Sequence, residues 1–396
     1  MPAFWLTWGV ARKKSSAPPL PEAPLARWRL IRAFRKRLAR AVAQSQPAPT
    51  WAHPERKLAR ADYLSLFLFG LLNPVVRTAR GLCATSQLAR VQRDVCTHAV
   101  SLGSFSPAQA QVEPDLLATV FADLSRDVCR RPSADATARR WLIQDGSLFA
   151  ALPRMYWALW RRQGPTQNQV RLHLSLDLAQ AAPARVAITP GKRCERAAWR
   201  TQVQPGDGFI ADRYYGEDYG LFGELTAADV VFVVRLREAA VFQVLEELPL
   251  TAADRAARVT RSVWATLGCD PRHQSVRVRL LWLQTEKERI CLVTNLAPEE
   301  LSAADVAQFY KERWRIELFF RWLKCILGCR HWLAESPAGV AVQLYLALIA
   351  ALLLQLTTGV RPTKRRLELI QFYLLGVATL KELQTGLARL GPRQKI

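Results

Sequence analysis

The chain has 396 residues, with 56 Lys and Arg against 33 Asp and Glu, a formal net charge of +23. A balance this basic suits a polyanion, whether DNA, RNA or an anionic membrane, and does not choose between them. Its eight cysteines are scattered without framework spacing, which excludes a disulfide-stapled scaffold and places the chain among reduced, cytoplasmic proteins.

The first ten residues are apolar and Trp-rich and are followed by Arg12-Lys13-Lys14, the reverse of the charge order in a secretory signal. Ala17–Pro24 and Gln46–Pro54 are Pro-rich, and between them Trp28–Ala43 reads as a basic amphipathic helix. Thirteen Lys and Arg stand against Glu22 and Glu55 in the first 60 residues. Residues 1–55 are therefore set apart as a basic extension, expected to be separable from the folded protein. From Tyr63 to about Arg131 the apolar periodicity of LSLFLFGLL, SQLARVQRDV and PDLLATVFADL predicts a helical domain over 56–135.

Strand signals begin after it. Trp141–Asp145 is a short apolar run closed by Asp145-Gly146-Ser147, residues that favour a turn. Val170–Leu178 alternates, with leucines on one face and Arg171, His173, Ser175 and Asp177 on the other. His173 and Asp177 are rival polar candidates, although alternation on a half-buried strand accounts for both. Ala184–Thr189 is a third strand, Lys192–Thr201 a helix, and Gly208–Asp212 a fourth strand with an acid at its exit. Gly220–Ala227 is a helix and Asp229–Leu236 a buried fifth strand. An Asp at a strand exit equally serves as a turn former or helix cap, so neither Asp145 nor Asp212 is assigned from its position alone. The pattern over 136–236 is that of an α/β sheet that opens with antiparallel neighbours and ends in strand–helix alternation. Residues 237–303 add three β-branched runs, Arg258–Leu267, Ser275–Gln284 and Arg289–Asn295, expected as a β-rich insertion. Residues 304–360 complete the core.

The stretch Tyr310–Lys324 has no Pro or Gly and predicts one helix. At about 100° per residue, Tyr310, Arg313, Glu317 and Lys324 fall within about 60° of one another, and an apolar stripe of Phe309, Ile316, Phe320, Leu323 and Leu327 lies about 80° away. Glu312 lies about 140° from Glu317 and is off the polar stripe. An amphipathic helix with solvated charges accounts for the same spacing. Ala338–Val360 is long enough to span a bilayer of about 20 residues, but carries Gln343, Gln355, Thr357 and Thr358 and is expected as a buried core helix rather than a membrane anchor. Residues 361–396 are expected as basic helices.

The order Tyr310-x2-Arg313-x3-Glu317-x6-Lys324, filled by Trp314, Ile316 and Phe319-Phe320, closely resembles the signature of DDE transposases of bacterial insertion sequences, in the group named after insertion sequence four. Asp145-Gly146-Ser147 and Asp212-Arg213-Tyr214-Tyr215 resemble the first and second acidic motifs of that family. The resemblance implies a ribonuclease-H-like catalytic core interrupted by the insertion, an N-terminal DNA-binding domain, and cut-and-paste strand cleavage and transfer on double-stranded DNA. It further implies two Mg2+ ions, replaceable by Mn2+, held by Asp145, Asp212 and Glu317. Hard cations take oxygen ligands, and phosphoryl transfer needs charge neutralised at one point. On the same resemblance Tyr310, Arg313 and Lys324 contact DNA, with Arg213, Trp314 and Arg235 as further contacts. The active assembly is then a homodimer on two element ends at the bacterial nucleoid. A catalytically silent DNA-binding descendant, or a nuclease or resolvase on the same fold, would carry the same features.

Overall fold

The protein is described by a computed structural model over residues 29–45, 51, 56–130, 139–160, 167–268, 276–329 and 331–390. The expectations for residues 1–28 lie outside the described residues. Among the described residues six helices come first: α1 (Arg29–Gln44), α2 (Arg60–Leu72), α3 (Ala79–Thr85), α4 (Ala89–Asp94), α5 (Leu102–Ala108) and α6 (Pro114–Val128). The expected separable extension fails for α1. Leu30, Ile31, Phe34 and Leu38 are at most 1% exposed and belong to the main core. Its arginines reach acids on three neighbours: Arg35 to Asp62 at 2.6 Å, Arg32 to Asp94 at 2.9 Å, and Arg37 to Asp127 at 2.7 Å and to Asp123. Burying each apolar side chain is worth about 1.5–3 kcal/mol, whereas a partly exposed ion pair gives about 0–1 kcal/mol. Packing therefore holds α1, and the charges orient it.

The sheet follows: β1 (Arg140–Ala150), β2 (Leu159–Trp160), β3 (Gln167–Asp177), β4 (Ala182–Pro190), α7 (Glu195–Arg200), β5 (Asp207–Ala211), α8 (Tyr219–Ala227) and β6 (Val231–Arg235). Strands β4, β3 and β1 are antiparallel neighbours, and β1, β5 and β6 are parallel ones. The expected turn at Asp145 is corrected: β1 runs on to Ala150, because β3 stays paired with it from Gly146↔His173 to Ala150↔Gln169. What ends is the other side, where parallel pairing with β5 stops at Ile143↔Ile210.

Next come β7 (Phe242–Glu247), α9 (Ala252–Ala256), β8 (Val259–Leu267), β9 (Val276–Gln284) and β10 (Arg289–Thr294). The β-rich segment is part of the same sheet, not a separate body. Strand β10 pairs antiparallel with β6 (Leu292↔Arg235), and the order continues through β9 and β8 to β7. Val263, Leu280 and Val293 from this segment share a core with Phe209 and Phe232.

The C-terminal helices are α10 (Ala303–Glu312), α11 (Trp314–Arg321), α12 (Pro337–Thr358), α13 (Lys364–Leu374) and α14 (Leu380–Arg389). The single helix expected over Tyr310–Lys324 is divided. At Arg313 the bonds tighten to three-residue spacing, Arg313 N–H to Tyr310 O at 3.1 Å and Ile316 N–H to Arg313 O at 3.3 Å. Residues Trp322–Ile326 form a π-helical turn. Its apolar stripe is buried as the periodicity requires, with Ile316, Leu323 and Leu327 at most 1% exposed. Helix α12 has the length and composition of a membrane span, yet it is buried against α2, α6 and β4. Its Gln355 side chain donates to Gln180 O at 2.8 Å, and Gln343 accepts from Leu333 N–H at 3.0 Å. The whole is a mixed α/β protein with N-terminal helices, one mixed sheet and C-terminal helices.

Phe34→Ala is expected to cost about 3–5 kcal/mol in denaturant unfolding, and Arg32→Ala less than about 1 kcal/mol. A Phe34→Ala protein as stable as the parent would restore α1 to a dispensable tail.

Candidate active site

Side chains alternate across a strand, so Ile143 and Asp145 of β1 share one face while Leu142, Gln144 and Gly146 share the other. Ile143 packs in the core that contains Ile316 and Phe320 of α11, and Leu142 in the opposite core. Asp145 therefore faces the helix that carries Glu317. It lies two residues past the last β5 contact of β1, where the parallel neighbour has gone and the antiparallel one remains. Asp212 directly follows β5, with Ile210, two residues earlier, in the same core as Ile143. Its Oδ1 accepts from Tyr214 N–H at 3.0 Å, which folds the chain back at once. Gly216 lets that turn press on β6, since a Cβ there would lie 2.3 Å from Arg235 O.

Glu317 sits in the first turn of α11, and its Oε1 accepts from Arg313 Nη2 at 3.0 Å. The Asp145 carboxyl is pushed up to about 7 by burial first, then by the charge of Asp212 and, less, of Glu317. The Gly146 N–H, 2.7 Å from Asp145 Oδ1, and the Arg313 guanidinium oppose the rise. Asp145, Asp212, Glu317 and Arg313 thus form one electrostatic group. The three carboxylates are not drawn tightly together: among the described residues no three His, Cys, Asp or Glu side chains form a group that could hold a metal ion. Glu317 is turned to Arg313 instead. Burial works against the Arg313 charge, but Tyr310, Glu317 and Asp145 outweigh it and raise its pKa.

The remaining positions divide. Arg313 lies 6.0 Å from the centroid of the Tyr310 ring, and burial raises the Tyr310 hydroxyl. Arg235, at the end of β6, donates to both Glu288 oxygens at 3.0 and 2.7 Å. Arg213 is exposed and its charge also acts on Glu288. Trp314, 48% exposed, opens α11. Lys324 leaves the stripe drawn with uniform α-helical rotation, because it lies in the π-helical turn. Its Nζ is 4.8 Å from the Phe149 ring centroid. Phe149 shares the face of Asp145, about 13 Å farther along the strand at about 3.3 Å per residue. Glu312 pairs with Arg315, away from the group.

The rivals are structural. Buried His173 shares a 2.9 Å hydrogen bond with Thr189, and Asp177 accepts from Arg140 at 3.1 Å and Gln180 N–H at 2.8 Å.

One feature has no sequence signature. A cleft of about 610 Å3 separates the β9–β10 hairpin from α10 and α11, lined by Arg258, Lys287, Tyr310, Lys311, Arg313 and Trp314. Arg258 and Lys287 reach it only because β10 has joined β6. The exposed Trp314, off the apolar stripe, is the one residue that could have announced it.

Residues 139–353 match the family profile described as "Transposase DDE domain", more than half of the chain. The chain is 25% identical over 261 residues to the protein named transposase y4zB of Sinorhizobium fredii, covering 57% of this chain and 71% of that one. It is 26% identical over 241 residues to a protein of Geobacillus stearothermophilus named as a transposase for insertion sequence element IS5377, covering 61% and 62%. A third match, 31% identical over 86 residues, is to a Synechocystis protein named for insertion sequence element IS4SA, covering 20% of this chain and 25% of that one. A solved piggyBac transposase synaptic complex with hairpin DNA aligns with a TM-score of 0.43 at 10% identity, over 94% of this chain and 82% of that one, a likeness too slight to argue from. The three acidic motifs fall within a domain match that spans β1 to α12, and on that match the chain belongs to the family of DDE-domain transposases, distantly related to those of insertion sequences.

Proposed function

We propose that the chain is an active transposase that cuts double-stranded DNA at the ends of an insertion sequence and joins the freed strands to a target. Asp145, Asp212 and Glu317 are its metal-holding carboxylates. The observation that carries this reading is the Asp145 carboxyl, pushed up to about 7 by burial and by Asp212. Like charges gathered in a half-buried place repel, and a divalent cation is the partner that relieves them. The strand order β4-β3-β1-β5-β6, with acids on β1 and just after β5, is the order of a ribonuclease-H-like core and supports the same reading.

All the donors are carboxylate oxygens, which suits Mg2+ or Mn2+. Asp145 and Asp212, whose charges act on each other, would hold the ions, and Glu317 would be a further ligand if it exchanged its pairing with Arg313. Bound divalent ions neutralise phosphate charge and activate the attacking oxygen. The protein's own residues do the rest. Arg313 offers a guanidinium fork to a DNA phosphate, which competes with Glu317 for the same N–H groups, so DNA binding and release of Glu317 go together. Tyr310 flanks that fork and Trp314 lines the cleft beside it. Lys324, Arg213 and Arg235 extend the cationic track, and the excess of Lys and Arg adds counterion-release affinity for the duplex. The working form is a dimer on two DNA ends in the bacterial cytoplasm.

Asp145→Asn, Asp212→Asn and Glu317→Gln are each expected to abolish cleavage of an end-bearing duplex while gel-shift affinity stays near that of the parent; Glu312→Gln should cleave normally. A fully active Glu317→Gln enzyme refutes the assignment. Cleavage without strand joining would instead mark a nuclease or resolvase.

Arg313→Lys is expected to keep the charge and lose the fork, slowing cleavage by at least about tenfold. Equal single-turnover rates for the two proteins would return Arg313 to an ordinary surface role.

A neutral Asp145 must shed its proton before it can hold a cation. Mn2+ affinity of the DNA-free protein should therefore fall on the order of tenfold per pH unit below about 7 and level off above it. Affinity independent of pH between 5 and 8 would mean that Asp145 is not a ligand.

A further inference from the structure

Behind Gly146, on the face of β1 opposite Asp145, lies a second polar group. Resting on the proposed function, we infer that Glu195, Arg171 and Tyr215 form a brace that sets the Asp145 and Asp212 carboxylates at their working separation. They are positioning residues: they act through the backbone beside Asp145 and the loop that carries Asp212.

The brace begins with Gly146. A Cβ there would stand 2.7 Å from Glu195 Cδ and 2.9 Å from its Oε2, so the Glu195 carboxyl occupies the space a side chain at 146 would take. Two partners hold it. Arg171, which pairs across the ladder with Leu148 of β1, makes an ion pair with Oε1. The Tyr215 hydroxyl donates to Oε2 at 3.3 Å. Arg171 Nε also donates to Gly191 O at 3.2 Å, beyond the end of β4. The Arg171 and Glu195 side chains are only 10% and 14% exposed, and Tyr215 is fully buried, its ring 4.9 Å from that of Trp199.

These three residues come from three elements that the site needs in register. Arg171 stands on β3, the strand that holds β1 after β5 has ended. Glu195 opens α7, and Tyr215 lies three residues past Asp212. One carboxylate therefore ties the backbone beside Asp145 to the loop that carries Asp212, across the gap where the two strands no longer pair. The charges of Asp145 and Asp212 both act on the Tyr215 hydroxyl, which places it near both acids. A buried Arg–Glu pair adds little net stability, so its value here is geometric. It also accounts for the glycine after Asp145: any side chain would displace the Glu195 carboxyl.

The test is a Mn2+ titration of the DNA-free full-length protein by calorimetry, beside cleavage of an end-bearing duplex at varied Mg2+. The proteins are the parent, Tyr215→Phe, Glu195→Gln, Gly146→Ala, Glu195→Ala and the Gly146→Ala/Glu195→Ala double variant. Tyr215→Phe keeps the ring and its packing and loses only the donor, so it remains informative if Glu195→Gln leaves Arg171 unpaired and unstable. The expected result is a rise in the Mn2+ dissociation constant and the Mg2+ midpoint on the order of tenfold, with KM for DNA unchanged and kcat lowered. Gly146→Ala should cost much less in the Glu195→Ala background than in the parent. Metal midpoints within about twofold of the parent for Tyr215→Phe and Glu195→Gln would overturn the brace. So would equal Gly146→Ala costs in both backgrounds. If the parent binds Mn2+ and the variants bind it less well, yet no protein cleaves DNA, the brace stands and the proposed activity falls.

Discussion

Beyond Ile143, β1 keeps its antiparallel partner β3 and has no parallel partner, since β5 turns away after Ala211. A strand supported on both sides would bury its side chains against covering helices. A strand left with one neighbour presents them at the edge of a gap, still held in register. Asp145 stands two residues into that stretch and Asp212 one residue past the end of β5. The separation of the two acids thus depends on where two ladders stop, and the turn made by Asp212 and Tyr214 and the contact of Gly216 with β6 fix the second acid against the first.

The electrostatic state of the group follows from that placement. Asp145 is pushed up by burial and by Asp212, and the Arg313 guanidinium opposes the rise. Arg313 cannot serve Glu317 and a phosphate with the same N–H groups. Here its Nη2 donates to Glu317 Oε1 at 3.0 Å. Among the described residues the three acids do not form a gathered set, although α11 packs on β1 and Glu317 is paired with Arg313.

Large-scale packing brings the β9–β10 hairpin beside α10 and α11. The ladder from β6 through β10 to β9 carries the hairpin with Lys287 to the edge of α10 and α11, where the cleft forms. On the far side, α12 is covered by α2 and α6, and α1 covers them in turn. An apolar helix of this length is stable in water only when wrapped, so the N-terminal helices and the sheet share one core.

Much of this was legible in the residues. Alternation identified β3 and its buried leucines, the apolar runs identified β5 and β6, and helical spacing identified the buried stripe of α11. The Tyr310, Arg313 and Glu317 pattern marked the polar face, because both periods report local geometry that side-chain burial enforces. The sequence read as a string misplaced the end of β1, since a Gly-Ser pair looks like a turn until β3 is present to pair with it. It also drew Lys324 on a uniform helix that the π-helical turn interrupts. It set α1 apart as a basic tail, because a stripe of Leu, Ile and Phe does not say what covers it. Nothing in the spacing linked Arg171, Glu195 and Tyr215 or brought Lys287 to Trp314. Residue type and period are local quantities, so the chain by itself determined which groups could do chemistry. Register between distant strands is not local, and only the folded sheet decided which of those groups meet.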